Sequence, residues 1–136
     1  MESTLLEKDT VATTQSVMEQ YFASGHDVKY LAEDAVFTDM GNGKETHGRE
    51  GVGQMLQYMY HVAFDAKAEV TNKVFAENKA TMEFNFKGKH IGEFAGIPPT
   101  NKEISVPICV VYDLQDGLIK KARIYLLADT MMQQLK

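Results

Sequence analysis

The sequence predicts one α+β domain with helices on one face of a curved, antiparallel sheet. Three observations carry this. Apolar residues recur at helical spacing in the first half of the chain and alternate with polar ones through much of the second, and Asp116-Gly117 separates two alternating rows. A length of 136 residues suits one domain spanning 1–136, and 44% hydrophobic content suits a packed globule.

In residues 9–24, Val17, Met18, Tyr21 and Phe22 share one side of a helix, and Gly25 reads as its stop. A short helical turn at 27–31 leads to a strand at 34–39, and Gly41-Asn42-Gly43 marks a loop. A second helix is expected over 48–64, where Val52, Met55, Leu56, Met59 and Ala63 form an apolar stripe. After Asp65 the spacing becomes alternating. Ala80, Met82, Phe84 and Phe86 form one half-buried row, and Ile104, Val106, Ile108, Val110, Tyr112 and Leu114 form another. Asp116-Gly117 predicts a two-residue hairpin, and the last strand is placed at 118–127.

Charge and composition exclude several classes of function. Lys and Arg number 14 against 19 Asp and Glu, a net charge of −5, with no basic block to neutralise phosphates or attract anionic lipid. No nucleic acid or membrane partner is therefore expected. The single cysteine, Cys109, rules out an intrachain disulfide and a cysteine-rich zinc site. No apolar run approaches the roughly 20 residues of a membrane span. Met1-Glu2-Ser3-Thr4 carries no leader pattern, so the expectation is a soluble, cytoplasmic domain. His26, His47, His61 and His90 show no metal-ligand spacing; neither a metal nor a cofactor is expected.

A sheet wrapped over a helix leaves an open end, and such openings become apolar ligand sites with a few polar groups. Methionines together with Phe37, Phe84, Phe86 and Phe94 suit a flat, hydrophobic ligand. The expected pocket residues are Met18, Tyr21, Phe37, Met55, Met59, Phe84, Phe86, Phe94, Ile97 and Leu127. Gly96-Ile97-Pro98-Pro99-Thr100 reads as a rigid turn at the mouth.

Two segments resemble a known family. The run from Gly88-Lys89-His90-Ile91-Gly92-Glu93-Phe94 through Ala95-Gly96-Ile97-Pro98-Pro99-Thr100-Asn101-Lys102 resembles the G-x-H-x-G-x-F-x-G-I-P-P-T-G-K stretch of SnoaL-like polyketide cyclases. His47-Gly48-Arg49-Glu50-Gly51-Val52 resembles that family's helix start, and Arg123-Ile124-Tyr125 with Gln134-Leu135 its closing strand and tail. The resemblance implies the cone of the nuclear transport factor 2-like superfamily, which also contains ketosteroid isomerase. Its members include aldol-type cyclases, isomerases, dehydratases, epoxide hydrolases and non-catalytic binding modules, so fold alone does not choose among them. The resemblance also implies a homodimer paired sheet to sheet. Val111, Ala122 and Leu126, with the tail Met131, Met132 and Leu135, are the residues that such pairing would use.

Four candidate catalytic residues follow. The segment from Ala32 to Asp39 is similar to that of ketosteroid isomerase carrying its general base, which implies that role for Asp39. A carboxylate at a strand end facing an apolar hollow can take a proton from carbon beside a carbonyl. The competing reading is an aspartate capping the loop at Met40-Gly41-Asn42-Gly43. The isomerase's other machinery does not follow, because Met18 stands where a tyrosine donor is needed and Ile108-Cys109 offers no acid. Tyr21 is a neighbouring source of a hydroxyl.

Arg123, Tyr125 and Leu127 alternate onto one face of the last strand. The resemblance implies a catalytic aspartate there, but counting back from Gln134 lands on Leu127; Asp129 substitutes only if the strand continues and shifts. Arg123 would hold a ligand oxygen and Tyr125 would donate a hydrogen bond. The competing readings are an ion pair of Arg123 with Glu83 or Glu103, and a core ring for Tyr125. His90, matching the family histidine, would relay protons, against a plain strand-pairing histidine. These features favour a cofactor-independent enzyme acting by proton transfer on a small hydrophobic carbonyl compound, as an aldol-type cyclase or isomerase. A binding protein of the same fold is the alternative.

Overall fold

A computed structural model describes residues 10–136. The expected helix start at position 9 and the reading of Met1-Glu2-Ser3-Thr4 lie outside these residues. Helix α1 (Val11–Ala23) is capped by Thr10, whose side chain accepts the Thr13 N–H at 3.1 Å. Thr14, Met18 and Tyr21 make its buried face. A short turn at Val28–Tyr30 leads into β1 (Leu31–Asp39) and β2 (Glu45–His47). Helix α2 (Arg49–Gln57) widens into a π-turn at Tyr58–Val62, then come β3 (Phe64–Ala76), β4 (Lys79–His90), β5 (Glu103–Gln115), β6 (Leu118–Leu126) and helix α3 (Ala128–Gln134).

The six strands form one open, curved sheet in the order β2-β1-β6-β5-β4-β3. The all-antiparallel expectation is corrected at one place: β1 runs parallel to β6. The chain has passed through the whole domain between those two strands, so hairpin geometry does not constrain their pairing. The tight turn between β5 and β6 lies at Asp116-Gly117, both with positive φ, as the sequence predicts. Strand β3, missing from the sequence reading, is an edge strand whose polar, small-residue face lacks a clear apolar row. The expected continuous helix over 48–64 is corrected too: regular helix stops at Gln57, and Phe64 opens β3.

Side-chain phase in β6 departs from simple alternation. Leu114 pairs with Ile119, but Asp113 pairs with Lys121, so Lys120 is an extra residue in the strand. A bulge of this kind exchanges the two faces for every residue beyond it. Ile119 is buried before the bulge and Ala122 after it.

Buried residues form two clusters. One gathers Met18, Tyr21, Leu31, Phe37, Val52, Met82, Phe84, Tyr112 and Ile119 beneath α1 and α2. The other gathers Tyr60, Phe64, Phe86, Ile104, Val106, Met131 and Leu135. Helix α3 belongs to the second cluster: Met131 and Leu135 pack inward, and the Gln134 amide exchanges two hydrogen bonds with the Ser105 backbone at 2.8 and 2.9 Å. Two fixed points hold α2 to the sheet. Gly48 N–H donates to Ala35 O at 2.7 Å, and the Arg49 guanidinium donates twice to Leu31 O at 3.0 and 2.9 Å. No helix of the described residues is long and apolar enough to cross a membrane.

Candidate functional site

A cavity of about 360 Å³ lies where the two clusters meet. Its walls include Phe37, Phe84, Phe86, Phe94, Ile108, Val110, Ile124 and Leu126, with Met55, Leu56 and Met59 from α2 and its extension. Phe94 is held in place by reciprocal hydrogen bonds with Ile97, and the Tyr58 hydroxyl donates to Glu93 O on the same loop. A shallower groove of about 530 Å³ beside α2, lined by residues such as Val28, Gly53 and Gln57, is open to solvent.

Polar groups enter the cavity at two levels. At the rim stand Asp39, Asn42, Lys44 and Thr46, brought there by the turn between β1 and β2. Asp39 closes that turn: its N–H donates to Lys44 O at 2.9 Å, and its Oδ1 accepts the Gly41 N–H at 2.8 Å. The loop-capping reading of Asp39 and its place on the cavity wall therefore hold together, since only one carboxylate oxygen is engaged.

Deeper in are Tyr21, Tyr60, Tyr112 and His26. Tyr21 comes from the last turn of α1. His26 follows it at the helix stop, where Gly25 and His26 both adopt positive φ and the His26 N–H donates to Tyr21 O at 2.9 Å. This folds the imidazole back over the helix end, edge-on to Tyr21 with ring centroids 5.0 Å apart and 4.7 Å from the Tyr60 ring. The π-turn carries Tyr60, and Tyr112 rises from β5, 6.2 Å ring to ring from Tyr21. The Tyr21 hydroxyl is buried without a hydrogen-bond partner among the described residues, which ordinarily costs about 1–3 kcal/mol.

Burial sets the charge state here. It pushes the Tyr21, Tyr60 and Tyr112 hydroxyls far above the ordinary tyrosine range, with mutual repulsion of the would-be anions adding to the rise for Tyr21 and Tyr112. Burial, helped by nearby His61, brings His26 down to about 4. All four groups are neutral at physiological pH. They can hydrogen-bond a guest without adding charge.

The sequence expectations are distributed unevenly over this geometry. Asp39, Tyr21, Phe37, Met55, Met59, Phe84, Phe86 and Phe94 line the cavity. Met18 and Ile97 do not: Met18 is fully buried behind the wall, and Ile97 braces Phe94. The closing-strand expectation is corrected. Beyond the Lys120 bulge it is Ile124 and Leu126 that face the cavity, while Tyr125 and Leu127 are 48% and 56% exposed. Arg123 is engaged on the outer face by Asp113, at 2.9 and 3.3 Å, rather than by Glu83 or Glu103. Asp113 also binds Lys79. Asp129 lies in the exposed first turn of α3, since the strand ends at Leu126. Ala122 and Leu126 are likewise inward and unavailable to an outer-face contact.

His90 is fully buried, yet it stands outside the cavity wall. Its Nδ1 accepts the Thr100 N–H at 3.2 Å, and its ring tilts against Phe64 at 5.2 Å. Its Nε2 has no partner among the described residues. The expected pairing of His90 with Asp39 at one cavity surface is thus corrected.

Of the deep polar residues Tyr21 was expected in the pocket, and the other three escaped the sequence reading for separate reasons. Tyr112 sits in an apolar row and carried a usable signal, a hydroxyl on an inward-facing position. Tyr60 is aimed by a π-turn, and His26 by a left-handed residue after the helix; neither follows a fixed period. Among the described residues no group of three or more His, Cys, Asp or Glu is placed to hold a metal ion.

Comparison with known proteins bears on this fold. The family model described as SnoaL-like polyketide cyclase matches residues 5–135. No curated protein sequence matches the chain. Among solved structures, a candidate SnoaL-like polyketide cyclase from Jannaschia sp. CCS1 superposes with a TM-score of 0.83 at 15% identity, covering 93% of each chain. TsrD from Streptomyces laurentii gives 0.78 at 22% identity, covering 91% of this chain and 95% of its own. IdmH from Streptomyces antibioticus, a candidate polyketide cyclase, gives 0.74 at 23% identity, covering 90% of this chain and 97% of its own. At these identities the likeness concerns the fold.

Proposed function

This chain belongs to the SnoaL-like polyketide cyclase family, and on that premise we propose that it catalyses cofactor-independent proton transfer on a small hydrophobic carbonyl compound, with Asp39 as base. One observation carries the proposal: the Asp39 carboxylate shares a single aromatic cavity with buried, neutral hydrogen-bond donors. Asp39 takes a proton from carbon beside the carbonyl. The C–H electrons become the enolate double bond, and the carbonyl π pair moves to oxygen. A neutral donor near that oxygen stabilises the charge as it develops. In a β,γ-unsaturated carbonyl compound the resulting dienolate takes the proton back from Asp39 at its γ carbon, an isomerisation; otherwise the enolate carbon attacks a second carbonyl of the same molecule. In the second case the new alkoxide takes the proton back from Asp39, giving an aldol ring closure.

Tyr125 and Arg123 take no part in this scheme, because the bulge turns them outward. That feature also favours a second reading, a carrier of the same fold, since the closing strand contributes only the apolar Ile124 and Leu126 to the cavity. Proton NMR in D₂O separates the two. With β-tetralone as probe, the protein should accelerate exchange of the α-protons over buffer. The Asp39→Asn variant should lose about 100-fold or more of that rate with an unchanged unfolding transition. Full activity in the variant removes Asp39 as base. Binding of β-tetralone without accelerated exchange leaves the carrier.

A further inference from the structure

The deep end of the cavity holds more polar capacity than the proposed reaction at Asp39 requires. Tyr21, Tyr60, Tyr112 and His26 line one small region, and the Tyr21 hydroxyl there is buried without a hydrogen-bond partner among the described residues. A buried polar group in a folded protein is almost always paired, so the unpaired Tyr21 hydroxyl, with three more polar side chains beside it on the wall of one hollow, marks a place where a guest supplies the partner. The cluster is also built rigidly. The Ser24 hydroxyl donates to Tyr21 O at 2.9 Å and accepts the Asp27 N–H at 3.0 Å, so the segment holding His26 is tied down on both sides.

We infer that Tyr21, Tyr60, Tyr112 and His26 form a second polar subsite, separate from Asp39, which binds an uncharged oxygen, a ketone or phenol, at the end of the ligand that enters first. The chemistry of the four side chains sets this class. Three hydroxyls and an imidazole both donate and accept hydrogen bonds, so they fit a carbonyl or hydroxyl equally well. None offers a compensating charge. Burial keeps His26 neutral and the tyrosines protonated, and the cation on the cavity wall, Lys44, belongs to the rim with Asp39. A carboxylate driven to the deep end would lose its hydration with no ion to replace it. An apolar molecule without oxygen would leave the Tyr21 hydroxyl unpaired. The ligand class is thus a hydrophobic ring system with a neutral oxygen leading. This deepens the proton-transfer reading by naming the substrate's far end, and it holds equally for a carrier.

The test is calorimetric titration with naphthalene, β-naphthol and β-naphthoate at neutral pH. β-Naphthol should bind about tenfold or more tightly than naphthalene. Tyr21→Phe and Tyr112→Phe should each erode that preference, with a native-like circular dichroism spectrum as the check on folding. His26→Asn, a residue that tolerates positive φ, should do the same. In a Lys44→Gln protein, where the rim offers no cation, β-naphthoate should bind more weakly than β-naphthol. Equal affinity for naphthalene and β-naphthol overturns the subsite, and so does β-naphthoate binding as tightly as β-naphthol in the Lys44→Gln protein. The titrations are repeated with Asp39→Asn. If the β-naphthol preference persists there while α-proton exchange fails in the native protein, the subsite stands and the catalytic reading falls.

Discussion

His26 and Tyr21 are joined twice: the His26 N–H donates to the Tyr21 carbonyl at 2.9 Å, and the two rings meet edge-on at 5.0 Å. The backbone bond requires the left-handed conformation of His26, with φ of 67°. That conformation returns the imidazole to the helix it has just left. A helix stop has in this way become part of a cavity wall.

The first prediction concerns pH. His26 is brought down to about 4 by burial and by His61, from an ordinary value near 6.5. Below about 6.5 the unfolded chain takes up a proton that the folded chain refuses until near 4, so stability falls as pH drops through that window. The loss should approach about 3 kcal/mol at the low end. Asp113, held down to about 2 chiefly by Arg123, adds a further loss only below the ordinary aspartate value of 3.8. Urea unfolding from neutral to mildly acid pH should therefore show a declining midpoint, with a shallower decline in His26→Asn. Parallel curves for the two proteins would show that His26 is not held neutral.

The second concerns Tyr21. Its buried, unpaired hydroxyl should make Tyr21→Phe neutral or stabilising, by up to about 1 kcal/mol, because the lone polar atom is removed without opening a cavity. Destabilisation by Tyr21→Phe, read from the urea midpoint, would reveal a hydrogen-bond partner for that hydroxyl.

The third separates Arg123 from the chemistry. Arg123→Ala breaks a two-pronged, partly exposed pair with Asp113 and should cost about 1 kcal/mol or less of stability. Catalysed exchange should be untouched. A large loss of rate at preserved stability would return Arg123 to the site.

The fourth concerns association. We propose that the outer face of β5 and β6, where Tyr125 lies half-exposed opposite Cys109, is the surface on which two copies pair. Sedimentation at tens of micromolar should report a dimer, and Tyr125→Glu should shift it toward monomer. A monomeric native protein ends this proposal.

Much of the architecture was legible in the order of residues. Periodicity located α1, the apolar stripe of α2 and the rows of β4 and β5, because a helix or strand with one buried face must repeat its apolar residues at the period of its backbone. Asp116-Gly117 specified its hairpin through positive φ, a purely local demand. The aromatic character of the cavity was legible for the same reason, since its walls are the inward positions of those rows. The place of Asp39 on the cavity wall was legible through the segment it belongs to.

Other features depend on contacts between distant parts of the chain. Whether β6 keeps strict alternation depends on its register against β5, and one unpaired lysine there sent Arg123 and Tyr125 outward and Ile124 inward. The parallel pairing of β1 with β6 likewise joins strands far apart in the chain, whereas the π-turn under Tyr60 and the backward fold of His26 are local departures that no apolar period announces. The residues alone determined which side chains are apolar and where the backbone repeats. Which polar groups came to share one hollow was decided only by tertiary packing, because a single-residue slip or one left-handed dihedral redirects a side chain at little local cost.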